Sequence, residues 1–379
     1  MKHRAVAGTL ASVVALAAIT GCDRAQIAPR RDAGTRGARI PGRPSGPDES
    51  GPDRIYVLRD PVLNQQPERW RMLGWDLDGR CTEPPRHDGG DGDAGGMDAG
   101  VDAGLPEGGP SWEGWDIECT PRHPDRAGPI LDGDECRDNA FGAYVSLALA
   151  TLPEDPQAEA AMRMERGEFA VLLRIRGYGG GADDPQVEVD VWPTVYGAPR
   201  GGMRGERLRW DGTDAFWIAE EGLSATDPDQ AVIRDAQAYV AGGLLVMRLP
   251  TRAEFDFASR EVLLRVRVTD GTLTGRIAPD PSEPLRSVLL SGRWPLQDIF
   301  EQLPWLGLCA GDPRDEVVIA LLRQGLESGA DVRAEPGDPD APLVPCEAIS
   351  MAVEFTGYPG ELGGRARFER PSGVCPGTL

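Results

Sequence analysis

The stretch Phe169-Ala-Val-Leu-Leu-Arg-Ile-Arg176, followed beyond a glycine-rich loop at residues 177–184 by Val187-Glu-Val-Asp-Val191, decides the fold class. Phe169, Val171, Leu173 and Ile175 alternate with Ala170, Leu172, Arg174 and Arg176, and the valines of the second run alternate with Glu188 and Asp190. A period of two belongs to a strand with one face buried, so the pair predicts an antiparallel hairpin.

The same pattern recurs outward from this hairpin. Residues 55–58, 238–240, 244–249, 285–290 and 348–355 predict further strands. Residues 262–268 and 272–277 flank Asp270-Gly271, a strong short-range hairpin signal. Residues 139–152, 156–166, 295–302 and 316–326 carry helical patterns, the second with proline at its first turn and Gly167 at its end. Short strands with frequent turn residues predict a mainly β chain of β-rich α+β type: an antiparallel β-sandwich with short peripheral helices.

The N-terminus carries an address. Lys2 and Arg4 precede a small and apolar run over residues 5–19, the length of a secretory signal core and short of the roughly eighteen residues that span a bilayer. The run ends in Ile19-Thr20-Gly21-Cys22, which resembles the bacterial lipobox. That resemblance implies that residues 1–21 are removed and that Cys22 receives lipid. Asp23 resembles the residue that retains lipoproteins in the inner membrane of enteric bacteria, while other phyla sort differently. The expected location is the cell envelope, anchored to a membrane through the lipid on Cys22.

Residues 22–53 are rich in Pro, Gly, Ser and Arg and predict a disordered tether. About 30 flexible residues reach about 30 Å, and the arginines suit anionic headgroups. Residues 54–379 are expected to form one domain. It is interrupted at residues 88–110 by an acidic, lysine- and arginine-free insertion that repeats Met97-Asp-Ala-Gly100 as Val101-Asp-Ala-Gly104.

The formal charge of −21 argues against nucleic acid as a partner, because phosphate binding needs clustered cations. Lys2 is the only lysine, which removes Schiff-base and P-loop chemistry from the exported chain. Two of the three histidines, His87 and His123, survive export. Both lie in loop-like surroundings that make poor catalytic or zinc positions.

Besides Cys22 there are six cysteines: Cys81, Cys119, Cys136, Cys309, Cys346 and Cys375. An oxidising compartment makes them three disulfides with fifteen pairings. Three lie before residue 140 and three after 300, so at least one bridge must join the two groups. The favoured set is Cys81–Cys119, Cys309–Cys346 and Cys136–Cys375.

Two clusters are candidate sites. Asp76-Leu-Asp-Gly79 and Asp132-Gly-Asp-Glu-Cys-Arg-Asp-Asn139 read as a split loop whose carboxylates, Asp76, Asp78, Asp132, Asp134 and Asp138, suit calcium, a hard cation that takes six to eight oxygens. Plain turn chemistry with helix capping by Asp138 is the competing reading. Trp192, Trp210 and Trp217 form the second cluster, either a sugar-stacking surface or buried core. No Gly-x-Ser-x-Gly elbow is present.

The DLDG and DN motifs, the Asp-Ala-Gly repeats and the strand pattern from Phe169 onward resemble uncharacterised secreted lipoproteins of myxobacterial type. The resemblance covers most of the exported chain and imports no activity. The expected function is therefore a lipid-anchored envelope protein, non-enzymatic, that binds an envelope protein or glycan or serves as structure. No cofactor is expected, calcium at the acidic motif being the one candidate. The alternative is a carbohydrate-active hydrolase or lectin-like protein on the same scaffold.

Overall fold

A computed structural model describes residues 37–47, 50–83, 115–122, 129–146, 155–225, 229–258, 263–338, 341–368 and 375. The hairpin at its centre forms as its alternation requires. Strand β2 (Val171–Arg176) pairs antiparallel with β3 (Asp184–Pro199), Leu173 lying opposite Val191 and Ile175 opposite Val189. Strand β1 (Arg54–Val62) flanks β2 on its other edge, with Tyr56 opposite Leu173.

The sheet then closes on itself. After β4 (Asp214–Ala219), β5 (Ile233–Ala241) returns to pair with β3. It turns through Gly242-Gly243, both at positive φ as a tight hairpin turn demands, into β6 (Leu244–Arg248). Past β7 (Arg252–Ala258), strands β8 (Leu263–Arg276), β9 (Leu285–Pro295) and β10 (Ala348–Pro359) follow, and β10 pairs with β1. The ring β1–β2–β3–β5–β6–β8–β9–β10 is an eight-stranded antiparallel barrel, with β4, β7 and β11 (Glu361–Ala366) outside it.

The chain is mainly β as expected, but it is not a sandwich. Alternation states that one face is buried. It does not state whether that face meets a second sheet or the far wall of its own.

Bulges supply part of the curvature that closure needs, and the clearest overturns a second expectation. Asp270-Gly271 is no hairpin turn: β8 runs straight through it. Asp270 sits at φ 47°, and the register shifts between Thr269 and Thr272. There β8 exchanges its partner β7 for β6. A side chain at Gly271 would put its Cβ 2.6 Å from Leu249, so glycine is required by packing.

Tyr56, Leu173, Val189, Val240, Leu245, Leu273, Leu290 and Met351, one from each barrel strand, belong to a single buried cluster. A second cluster lies outside the wall, where Val57, Leu172 and Trp192 pack against Phe216 and Ile218 of β4. Strands β1 to β3 are thus apolar on both faces, which is why residues 170–173 read as an unbroken apolar run.

Helix α1 (Pro156–Glu165) starts at Asp155, whose carboxylate accepts the N–H groups of Gln157 and Ala158. Helices α2 (Leu296–Gln302) and α3 (Pro313–Ser328) match their patterns. The helix expected from residue 139 is reduced to one wide turn over Phe141–Val145, and residues 147–152 lie outside the described residues. Among the described residues no helix is long and apolar enough to cross a membrane.

All six cysteines bridge, in pairs other than those expected: Cys81–Cys136, Cys119–Cys346 and Cys309–Cys375. Cys119–Cys346 is the crosslink between the two groups that parity requires. Sequence spacing could not choose the partners, because the barrel brings residues 118–120 against the entry to β10, where Thr120 O accepts the Cys346 N–H and Thr120 donates its N–H to Val344 O.

Residues 37–47 also depart from expectation. They are not free tether but lie on the barrel, with Ala38 buried. Residues 1–36, with the signal segment and Cys22, lie outside the described residues, as do His87, His123 and the insertion at residues 88–110.

Candidate metal centre

Segments 74–83, 115–122 and 129–139 gather beside β9 and β10, pinned by Cys81–Cys136 and Cys119–Cys346. The two halves of the acidic motif meet there. Asp138 donates its backbone N–H to Trp75 O at 3.1 Å and accepts the Leu77 N–H on Oδ2 at 2.6 Å. Gly74 makes the close approach feasible: at φ 105°, its Cβ would stand 2.7 Å from Asp138 O.

Around this contact the aspartates fold into tight loops. Asp76 Oδ1 accepts the Gly79 N–H, Asp78 Oδ1 the Arg80 N–H and Asp132 Oδ2 the Thr82 N–H. Asp76, Asp78 and Asp138 each bring a carboxylate oxygen within 4.8 Å of the others. A cavity of about 10 Å³, the room one water-sized sphere needs, is lined by Asp78, Asp132, Asp138 and Asp331 together with Thr82 and Ile117.

Turn chemistry is therefore real here, but it uses half of each carboxylate. The second oxygens of Asp76, Asp78, Asp132 and Asp138 accept no hydrogen bond from the described residues. For Asp138, 2% exposed, this leaves an oxygen without a donor in a buried side chain at the cavity wall.

Two of the acids differ from expectation. Asp134 turns away: its carboxylate faces Arg71 at 3.5 Å and is 43% exposed. Asp331 takes a place in the cluster instead, with its oxygens accepting the N–H and hydroxyl of Ser350. Its only sequence signal is an aspartate between a helix and a strand, almost 200 residues from the motif, and barrel closure alone delivers it.

The electrostatics are those of too many acids in too little water. Burial, reinforced by Glu118, pushes Asp78 up to about 6. Burial pushes Asp331 up to about 7, with Asp78 adding to it. Asp132 and Asp138 are held well above the usual carboxylate range by burial and then by repulsion from their neighbours. Burial also raises Asp76.

Among the described residues no arginine ion-pairs with any of the five. The nearest buried cation, Arg293, is committed to Glu118 at 2.5 Å and to the carbonyls of Leu77 and Arg333. Arg39 offsets part of the charge on Asp76, and Arg293 part of that on Asp78 and Asp331. Like charges gathered with so little counter-charge must protonate or take up a cation. An oxygen-only donor set suits a hard divalent ion of the calcium type. No histidine or free thiol among the described residues offers the ligands that zinc or copper prefers.

The tryptophans form no comparable site. Trp192 is buried, with Arg174 over its ring. Trp210 donates its Nε1–H to Glu165 O and packs against Arg59, Phe216 and Tyr358. Trp217 stacks on Tyr196 with centroids 4.6 Å apart, and the Gly363-Gly364 backbone presses on its ring. The sugar-stacking surface requires open ring faces, and these rings are largely covered by protein. The acid cavity, with room for about one water-sized sphere, does not hold a sugar ring.

No protein-family model, curated protein or solved structure matches this chain.

Proposed function

We propose that the protein is a lipid-anchored envelope module, structural or binding rather than catalytic, whose disulfide-stapled barrel is completed by a calcium ion held by Asp76, Asp78 and Asp138, with Asp132 at the adjoining cavity wall. Asp331 supplies further negative charge at the cavity wall. The observation that carries the reading is Asp138, whose side chain is buried among other acids with, among the described residues, no cation paired to it and a hydrogen bond on only one of its oxygens. In this role the cation locks two motif halves and the 129–139 loop onto the barrel end without acting on a substrate. Export supports the choice of ion, because calcium is abundant outside the cytoplasm and disulfides persist there.

Calorimetric titration of the purified mature protein with calcium tests it. The expected outcome is one ion bound per chain and a melting temperature raised by a few degrees at saturating calcium, since a ligand at 100 times its Kd stabilises by about 2.7 kcal/mol. No heat and an unchanged melting temperature overturn it. The anchor is tested separately: Cys22→Ser should abolish incorporation of labelled palmitate, and retained label refutes lipidation at that residue.

A further inference from the structure

We infer that residues 37–43 form a strap whose docking is controlled by occupancy of the acid centre, so that a divalent cation sets how much chain separates the barrel from the membrane anchor. The inference rests on the calcium reading above and goes beyond it.

One end of the strap is built into the loops that carry the ligands. Ala38 donates its N–H to Glu135 O at 2.6 Å and accepts the Asp76 N–H on its carbonyl at 2.9 Å. A single residue thus bridges the two motif halves. Gly37 lies so close to the ligand loop that a Cβ there would stand 2.0 Å from Asp76 Oδ2. No side chain larger than hydrogen fits without displacing either the strap or that carboxylate.

The other end rests on the barrel wall. Pro41 O accepts the Tyr239 hydroxyl, Arg43 donates to the carbonyls of Pro185 and Gln237, and its guanidinium lies over the Tyr239 ring at 5.1 Å. Between these ends Arg39, Pro41 and Gly42 are exposed. Ala38 is the strap's one buried apolar residue, so little hydrophobic surface holds it down. Arg39 lies near enough to Asp76 to attract its carboxylate, and beyond that pull the attachment depends on the Asp76 N–H and the Glu135 carbonyl staying at the right separation.

A cation drawing Asp76 toward Asp78 and Asp138 holds that separation. Without the cation nothing ties Asp76 to Asp78 and Asp138, and the Asp76 N–H loses its fixed distance from the Glu135 carbonyl that Ala38 must span. Release adds residues 37–47 to the tether. Because coupling between two binding events is reciprocal, a strap that cannot dock must also weaken the cation.

Limited trypsin digestion of the mature lipidated protein in detergent, with calcium or with EDTA, reads this directly. Arg39 is followed by Ile40 and is cleavable, whereas Arg43 is protected by Pro44. Cleavage that samples a transient open form reports its population, so cutting after Arg39 should be at least about tenfold slower in calcium. Gly37→Val should be cut quickly in both conditions and bind calcium more weakly, with its melting temperature in EDTA unchanged. Calcium binding is measured on the same samples. Binding without protection at Arg39, or Gly37→Val with unaltered affinity, overturns the strap and leaves the metal centre standing. No binding overturns both.

Discussion

The Oδ2 of Asp138 accepts the backbone N–H of Leu77 at 2.6 Å, which sets a buried carboxylate between Asp76 and Asp78 although 61 residues separate the bonded pair. The bond uses one oxygen and leaves the charge unanswered. Replacement by the isosteric amide separates these two roles.

Asp138→Asn keeps an acceptor for Leu77 and removes one of the repelling charges. Calcium affinity should fall roughly tenfold or more, because site charge tunes affinity in oxygen-ligated sites. The melting temperature in EDTA at pH 7 should stay level or rise. Calorimetry and thermal melts together check this, and a variant that melts lower in EDTA with calcium affinity intact would mark Asp138 as purely structural.

The raised carboxylates dictate a pH dependence of definite sign. Asp78 and Asp331 titrate near 6 and 7 in the folded chain and near 4 when unfolded. Between those values the folded state holds more protons, so stability falls as pH rises. Without calcium, melting temperature should therefore decline as pH rises from about 4 through about 7. Saturating calcium should flatten that decline, and calcium affinity should weaken below about pH 6 as protons compete. Melts from pH 4 to 8 with and without EDTA decide it; a calcium-free protein that gains stability across this range contradicts the electrostatic account.

Cys119–Cys346 spans 227 residues and borders the cavity. Replacing both cysteines by alanine should cost about 2–5 kcal/mol in urea unfolding and weaken calcium binding as well. Removing Cys309–Cys375, which is remote from the acids, should leave calcium affinity unchanged. Equal losses of affinity from both would disconnect the bridge from the site.

Phe216 is fully buried in the cluster outside the barrel wall. Phe216→Ala should destabilise by about 3–5 kcal/mol while the folded fraction still binds calcium, since the acid centre belongs to a different part of the wall. Chemical denaturation and titration of the same variant test the independence of the two regions.

The residues themselves show how far the sequence reaches. Alternation from Phe169 to Val191 is local information, and it correctly specified β2, β3 and their pairing. The acidic motif contains acids that the fold brings together, Asp76, Asp78 and Asp138 within 4.8 Å of one another and Asp132 on the same cavity as Asp78 and Asp138, because side chains a few residues apart in tight loops stay together wherever the loops go. Asp134 of the same motif faces Arg71, a residue outside it.

What the tertiary structure alone decided is non-local. An inward face does not say what it meets, so β-rich alternation did not distinguish a sandwich from a barrel. A left-handed aspartate before a glycine can end a strand or bulge it, and only the packing of Leu249 and Val268 against Gly271 made it a bulge. Cysteine parity required a crosslink, but closure chose Cys119 and Cys346. Asp331 joined the acid centre, and Ala38 was drawn out of the tether, for the same reason: each is held by partners distant in sequence, and no local pattern encodes a neighbour that chain closure has yet to bring within reach.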